Sequence, residues 1–480
     1  MTCRPCRFLA GWCLALSLAF AGCGTPPARE TPGTSGDGTA PVSLIVANAT
    51  VVTVDGASRV LNPGSIAIDG ARIVAIDTPE IIAARFSSPE AIDLGGHIVL
   101  PGLINLHTHA PMVLYRGLAD DLALMDWLQK YIFPAEAKTI SPEFVRVGTR
   151  LAALEMIRSG TTLFADMYYF EEEVAAAVKE SGMRGVLGQT IIEFPVADAS
   201  TPARGLERAE AFVTRFKDDE LVVPSVAPHS MYTLDTATLQ AARALAVKYS
   251  VPLQIHLAET EEEVRISRER HRLRPVAFLE SIGFWAPVTL AAHGIWVTPD
   301  EVTLLVSRGV GVSHNPESNM KLASGTAPVP AYLAAGAKLG LGTDGAASNN
   351  DLDMFEAMRA AALLHKLTTR DPRVVSAAQA LAMATIGGAR ALGMDDRLGS
   401  LEPGKLADLI AIRTDHARQV PLYDPVSHIV YVAHGDDVVL TMVNGRVLYR
   451  DGVARTLDER RVIADARAAA DQVRKAVQAP

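Results

Sequence analysis

The sequence predicts an α/β protein: a (β/α)₈ TIM barrel with a small β-sandwich domain built from both chain ends. Eight short apolar runs alternate with helical segments through the middle of the chain, which favours a parallel barrel over an open doubly wound sheet. β-rich runs with Gly-containing turns stand at both ends. The length of 480 residues leaves room for a second, smaller domain beside a barrel of about 250 residues.

The N-terminal residues predict export. Arg4 and Arg7 precede the apolar stretch from Phe8 to Ala21, and Cys23 follows two small residues, as in a bacterial lipobox whose acylated Cys becomes the mature N-terminus. We therefore expect a lipoprotein signal peptide at 1–23 and a flexible Gly-, Pro- and Ser-rich tether at 24–41. This places the chain in the cell envelope, lipid-anchored on the periplasmic side of a bacterial membrane. A short membrane anchor or a misplaced start codon are the alternatives.

The β-sandwich is predicted from two separated regions. Strand-like runs cover 42–54 and 65–76, with a turn at Asp69-Gly70, and again 407–412 and 438–452, with a hairpin turn at Asn444-Gly445. We assign 42–100 and 396–452 to the sandwich and 101–395 to the barrel. Residues 453–480 are assigned to a C-terminal amphipathic helix.

The barrel strands share an unusual ending, because six of the eight predicted runs finish in His, Asp or Glu. The runs end at His109, Asp166, Ile192, His229, Glu259, His293, Asn315 and Asp344. Burying such groups is costly unless they are paired or bind metal, and active sites of this barrel lie at the carboxyl ends of the strands. The pattern therefore predicts an active site there.

Composition excludes several kinds of chemistry. The net charge of −9 argues against a nucleic-acid partner, because phosphate binding needs a basic patch. All four cysteines stand at positions 3, 6, 13 and 23, so the folded body has no disulfide, thiolate ligand or thiol nucleophile. Catalysis has to rely on His, carboxylates and a bound cofactor.

A single metal site is predicted from three strand ends. His107 and His109 lie two residues apart on one strand, so both side chains point to the same face. His256 ends the fifth strand and Asp344 the eighth, which brings four nitrogen and oxygen ligands together. This set suits Zn²⁺, with Fe²⁺ or another divalent ion as the alternative, and leaves a position for water.

Several blocks together resemble the amidohydrolase superfamily. They are PGLINLHTHAPM, VAPHSMY, IHLAET, AAHG, SHNPESNMKLASGTAPV and LGTDGAASNND. More narrowly, they are similar to the cytosine- and triazine-hydrolase-like branch that contains 5′-methylthioadenosine/S-adenosylhomocysteine deaminase. The resemblance runs from about Val42 to about Gly452. It implies one metal, since no Lys ends the fourth strand to bridge a metal pair, and it suggests a homo-oligomer.

The resemblance also implies catalytic roles. Glu259 matches the proton shuttle and His293 the histidine near the nucleophilic water, while Asp344 orients that water as well as binding the metal. The three acidic residues that follow, Glu261 to Glu263, are expected to form a solvated helix start favoured by the helix dipole.

The same resemblance implies substrate contacts. Glu136 and His229 match residues that contact the purine ring and the nucleoside, and Trp127 lies in the adjoining loop. Members that act on S-adenosylhomocysteine are expected to place arginines near its carboxylate. Here Gln189 stands at one such position and Arg204 matches the second. A neutral Gln cannot form the bidentate ion pair of an Arg, which predicts a preference for nucleosides without the carboxylate.

The implied function is a small-molecule aminohydrolase that acts on carbon–nitrogen bonds of cyclic amidines. It would deaminate adenine-type nucleosides (methylthioadenosine, adenosine, S-adenosylhomocysteine) to the inosine form and ammonia by attack of metal-activated hydroxide. Two alternatives stay open. One is a chlorohydrolase or deaminase of another heterocycle, such as a triazine or guanine, and the other is a lipoprotein that binds a heterocycle without turnover.

Overall fold

A mixed sheet and a parallel barrel make up most of the structure, a computed structural model that describes residues 38–478. The strands before the barrel are β1 (Ala40–Pro41), β2 (Leu44–Val52), β3 (Val60–Asp69), β4 (Arg72–Asp77), β5 (Phe86–Ser87), β6 (Ala91–Asp93) and β7 (Ile98–Pro101), with helix α1 (Pro79–Arg85) after β4. Strand β1 pairs with β5 and lies at the end of the segment 24–41 that the sequence predicts as a tether.

Eight parallel strands form the barrel, which confirms the predicted fold class. They are β8 (Leu103–Thr108), β9 (Thr161–Tyr168), β10 (Arg184–Ile191), β11 (Val222–Pro228), β12 (Leu253–Leu257), β13 (Thr289–His293), β14 (Gly311–His314) and β15 (Lys338–Leu341). Each pairs with the next in chain order. The first and last strands meet where the Asp344 backbone N–H donates to the His107 carbonyl at 2.8 Å, so the barrel closes at two of the predicted metal ligands.

Helices follow the barrel strands as the alternation predicts. They are α2 (Leu124–Trp127), α3 (Phe133–Thr139), α4 (Pro142–Arg158), α5 (Glu171–Ser181), α6 (Pro202–Phe216), α7 (Thr236–Tyr249), α8 (Glu261–His271), α9 (Pro275–Ser281), α10 (Pro299–Ser307), α11 (Pro316–Lys321), α12 (Val329–Ala334), α13 (Met354–Thr369), α14 (Ala377–Met383) and α15 (Ile386–Ala391). A 3-10 helix, Ala110–Tyr115, follows β8, and a π-helical turn, Leu128–Ile132, joins α2 to α3.

Both chain ends contribute to the second sheet, as predicted. It is completed by β16 (Leu409–Ile412), β17 (Val438–Val443), β18 (Arg446–Arg450) and β19 (Val453–Ala454), with α16 (Pro425–Tyr431) inserted and α17 (Glu459–Gln478) following. Strand β16 pairs with β7, which joins the two halves into one nine-stranded sheet. Residues from both halves, including Val46, Ile68, Leu409 and Met442, are buried in one core.

Local sequence signals account for the helix start at Ser141 and confirm the predicted turn at Asn444-Gly445. Ser141 caps α4 by accepting a hydrogen bond from the Phe144 backbone N–H at 3.1 Å. Asn444 and Gly445, both with positive φ, form the two-residue turn between β17 and β18. The predicted signal peptide and most of the tether lie outside the described residues. Within residues 38–478, no helix has the length and apolar character needed to cross a bilayer.

Candidate active site

A cavity opens at the carboxyl ends of the barrel strands. Apolar and aromatic side chains from the α2–α3 segment form one wall, and His109, His256, Glu259, His293 and Asp344 form the floor. The cavity therefore joins the predicted metal ligands to the predicted proton-transfer residues.

The four predicted metal ligands converge. The carboxylate Oδ1 of Asp344 lies 3.4 Å from Nε2 of His107 and 3.4 Å from Nε2 of His109. Nε2 of His256 lies 3.3 Å from Nε2 of His109. Donors of a tetrahedral ion with bonds of about 2.0–2.1 Å stand about 3.3–3.4 Å apart, so the observed spacings match that geometry.

Burial and hydrogen bonding prepare these rings for a metal. Nε2 of His107 is buried with no hydrogen-bond partner, which is costly unless an ion takes its lone pair. Burial also lowers the pKa of His107 and His256 well below the usual range, so both are neutral, the form that ligates. The residues present therefore fit one divalent ion, and three nitrogens with one oxygen suit Zn²⁺.

Backbone carbonyls set the orientation of two of the ligands. Nδ1 of His109 lies 2.7 Å from the Met167 carbonyl, and Nδ1 of His256 lies 2.8 Å from the His229 carbonyl. A carbonyl can only accept, so each Nδ1 carries the proton and each Nε2 keeps its lone pair for the metal.

Two strand-end residues adopt strained backbone conformations. His293 and Asp344 have φ values of 73° and 65°. A left-handed conformation costs a non-glycine residue roughly 1–2 kcal/mol, and such residues concentrate at functional sites. Both side chains line the cavity floor described above.

The backbone of Glu259 is held by Glu263, which is buried and not solvated as predicted. Glu263 was expected in a solvated helix start, but it is 2% exposed and its carboxylate accepts the backbone N–H groups of Ala258 and Glu259, both at 2.9 Å. Burial raises the pKa of Glu263 to about 7. The prediction failed because the acidic run fits a helix start, whereas the bend at Ala258 (φ 48°) turns the backbone of the preceding loop onto the first helical turn.

His293 lies between the proton shuttle and a buried amide. Its Nε2 is 3.8 Å from Oε2 of Glu259, and its Nδ1 is 2.9 Å from Oδ1 of Asn319. Burial disfavours the charged imidazole, but the neighbouring carboxylates outweigh burial, and the pKa of His293 is raised. The ring can therefore hold a proton beside Glu259 and Asp344.

The predicted nucleoside contacts also line the cavity. Glu136 is buried and accepts a hydrogen bond from the Tyr168 hydroxyl at 2.6 Å, and burial raises the pKa of Glu136 to about 7. His229 lies beside His256, with ring centroids 4.6 Å apart, and burial lowers its pKa to about 3, so its ring is neutral. Trp127 is also in the lining, with its Nε1 buried and unpartnered.

Gln189 and Arg204 do not line the cavity. Gln189 Nε2 donates to Oδ2 of Asp198 at 2.8 Å, and the same oxygen accepts from Arg208. The Arg204 side chain is 60% exposed and pairs with Glu207 on the surface of α6. The positional match placed both residues near a substrate tail, but the loop after β10 directs them elsewhere.

Four supporting residues were not predicted as site residues. Ser318 donates to Oδ2 of Asp344 at 2.7 Å, and Asn319 contacts His293. Both lie in α11 and stand inside the block SHNPESNMKLASGTAPV, which was the available signal. Tyr168 and Glu263 had no signal in the spacing, since both act through contacts made across the fold.

Comparisons with known proteins agree with this geometry. The model described as the amidohydrolase family matches residues 98–448. A 5-methylthioadenosine/S-adenosylhomocysteine deaminase from Syntrophobacter fumaroxidans is 48% identical over 414 residues, covering 86% of this chain and 94% of the relative. A 5′-deoxyadenosine deaminase from Methanosarcina mazei is 42% identical over 432 residues, covering 90% and 98%. An adenosine deaminase from Xanthomonas campestris, crystallised with bound zinc, has a TM-score of 0.90 and 39% identity, covering 91% of this chain and all of that one.

Proposed function

Because this chain belongs to the amidohydrolase family, we propose that it is a zinc-dependent aminohydrolase that converts adenine-type nucleosides to the inosine form and ammonia. It is a hydrolase of carbon–nitrogen bonds in cyclic amidines, and its partner is a small molecule. Methylthioadenosine, 5′-deoxyadenosine and adenosine are the proposed substrates.

The chain's own residues can carry each proton of this reaction. A divalent ion held by His107, His109, His256 and Asp344 would supply Lewis acidity, which lowers the pKa of a bound water from about 15.7 to about 7. Glu259 takes a proton from the attacking water and delivers it to the ring nitrogen beside C6. His293 and Asp344 flank the same point, where they orient the nucleophile and protonate the departing ammonia.

The observation that carries the proposal is a buried hydroxyl-binding group in the same cavity as the catalytic set. The Tyr168 hydroxyl satisfies Oε1 of Glu136, and the carboxylate is 8% exposed in a wall that is otherwise largely apolar. A buried carboxylate needs further donors, and the hydroxyls of a ribose can supply them. The deaminases of adenine nucleosides that are 48% and 42% identical to this chain favour a nucleoside over guanine or a chlorotriazine as that donor.

S-adenosylhomocysteine is expected to be a poorer substrate than methylthioadenosine. Among residues 38–478, the side chains that line the cavity include Glu136, Glu259 and Asp344 but no Lys or Arg. A substrate carboxylate would thus enter without the charged hydrogen bonds that are worth roughly 1.5–3 kcal/mol. We expect kcat/KM in steady-state assays to be higher for methylthioadenosine by about tenfold or more.

A matched substrate isolates the carboxylate in that comparison. The thioether that carries 3-aminopropyl in place of the homocysteine chain keeps the length and the amine but lacks the acid. Its kcat/KM is expected to approach that of methylthioadenosine. A kcat/KM for S-adenosylhomocysteine equal to or above that for methylthioadenosine or adenosine would refute the preference.

We propose further that the chain is exported and anchored through Cys23. The support is the basic start, the apolar stretch and the small residues before the Cys, together with the Gly- and Pro-rich segment after it. The full chain expressed in a bacterium is expected to incorporate labelled palmitate and to sediment with membranes, and Cys23→Ser is expected to do neither. An unlabelled wild-type chain would rule the anchor out.

A further inference from the structure

Two buried carboxyl groups behind the metal site have no part in the reaction proposed above. Asp166, in β9, and Glu171, the first residue of α5, are both 0% exposed, and each carboxyl group shifts the pKa of the other. Neither lines the cavity. Oδ2 of Asp166 and Oε2 of Glu171 are buried and accept no hydrogen bond from any described residue, which leaves each oxygen in need of a proton donor.

The remaining oxygens of the pair hold two different strand ends. Oδ1 of Asp166 accepts from the Thr108 hydroxyl and from the Ala110 backbone N–H, both at 2.6 Å. Oε1 of Glu171 accepts from the Tyr168 backbone N–H at 2.8 Å. Asp166 thus holds the residue on each side of His109, and Glu171 holds the end of β9.

The hydrogen bond that orients His109 lies between these two attachments. Nδ1 of His109 donates to the carbonyl of Met167, which stands between Asp166 and Tyr168 in β9. The relative position of the β8 and β9 ends therefore decides where Nε2 of His109 points. Supporting groups of this kind typically change metal affinity or activity about 10- to 100-fold when they are removed.

We propose that Asp166 and Glu171 form a positioning pair that fixes His109 for the metal, with Glu171 acting as a neutral hydrogen-bond donor to Asp166. Two ionised carboxylates in contact and away from water repel strongly, so such a pair holds one proton. Burial, followed by the charge of Asp166, raises the pKa of Glu171 well above its usual range, which places the proton on Glu171. The inference rests on the proposed metal site and is independent of which nucleoside is the substrate.

Zinc affinity of the full-length protein tests the proposal directly. The dissociation constant is measured by competition with a chromophoric chelator for wild type, Glu171→Gln and Glu171→Leu. In Glu171→Gln the amide donates to Asp166 and its carbonyl accepts from Tyr168, so zinc affinity is expected within about threefold of wild type. Glu171→Leu removes both hydrogen bonds, and we expect zinc to bind about 10- to 100-fold more weakly.

Control variants separate positioning from general support of the fold. Glu172→Leu changes the next residue of α5, which pairs with Arg208, and is expected to keep wild-type zinc affinity. Thr108→Val removes one donor to Asp166 with little change in shape, and is expected to weaken zinc binding even if Glu171→Leu fails to fold. Circular dichroism at the titration temperature confirms that each variant is folded.

Three results would overturn the inference. Glu171→Gln could lose zinc affinity as severely as Glu171→Leu, which would mean that a charged carboxylate is needed. A folded Glu171→Leu, or Thr108→Val, could instead bind zinc as wild type does, which would make the pair merely structural. Because zinc binding is measured without substrate, a failure here is distinguishable from a failure of the proposed deamination.

Discussion

Glu259→Gln is expected to lower kcat by about 10³-fold while the protein keeps its full metal content. The side chain is 5% exposed, its Oε2 lies 3.8 Å from Nε2 of His293, and Glu263 fixes its backbone N–H. Gln has nearly the same shape but cannot accept and return a proton. Because none of the four metal ligands is altered, steady-state kinetics should show the loss and elemental analysis should show unchanged zinc.

Glu262→Gln is the matched control for that variant. Glu262 lies three residues further along the chain, half-exposed on α8, where it pairs with Arg265. It is expected to keep wild-type kcat. If Glu259→Gln retained a tenth or more of the wild-type kcat, or if it lost its zinc, the proton-shuttle assignment would be wrong.

The second large effect is expected from a metal ligand. His256→Ala should lose zinc and with it about 10³-fold or more in kcat/KM, since a bound metal supplies several kcal/mol to hydrolytic catalysis. Its Nδ1 is held by the His229 carbonyl, which turns Nε2 of His256 toward Nε2 of His109, so the alanine variant lacks one of the four donors. Elemental analysis of the purified variant and kinetics with added zinc measure the two losses separately.

Imidazole and a distant histidine provide the controls. Exogenous imidazole can enter the space left by the ring and should restore part of the activity in the presence of zinc. His97→Ala, in the nine-stranded sheet domain, where the ring contacts the Gly95 carbonyl, should leave zinc content and kinetics unchanged. Full zinc occupancy in His256→Ala would contradict the ligand assignment.

The barrel and its metal ligands could be predicted from sequence because each depends on a local pattern. Apolar runs that end in ionisable residues reveal the strand ends, and the two-residue spacing of His107 and His109 sets them on one face. The nine-stranded sheet followed from two β-rich ends with turn signals at Asp69-Gly70 and Asn444-Gly445. In each case the information lies within a few consecutive residues.

The residues that support the metal ligands and Glu259 from behind the cavity could not be predicted, because their roles depend on contacts made in the fold and not on a local pattern. The acidic run predicts a solvated helix start for Glu263. In the structure the loop before α8 bends, so that the Glu263 carboxylate accepts the backbone N–H of Glu259. Gln189 matches a substrate-binding position, yet Asp198 binds it in the loop after β10. Asp166 is predicted as a strand end, but the proposed pairing with Glu171 depends on the turn that brings the first residue of α5 back onto the end of β9, which no local pattern reveals.

Ammonia release from adenine nucleosides tests the central claim most directly. The zinc-loaded protein lacking residues 1–23 is assayed with methylthioadenosine, 5′-deoxyadenosine and adenosine, with guanine and a chlorotriazine as the comparison. We expect one ammonia and one inosine-type product per nucleoside consumed, and a higher kcat/KM for the nucleosides than for guanine or the chlorotriazine. Zinc-loaded, folded protein that releases no ammonia from any adenine nucleoside would contradict it.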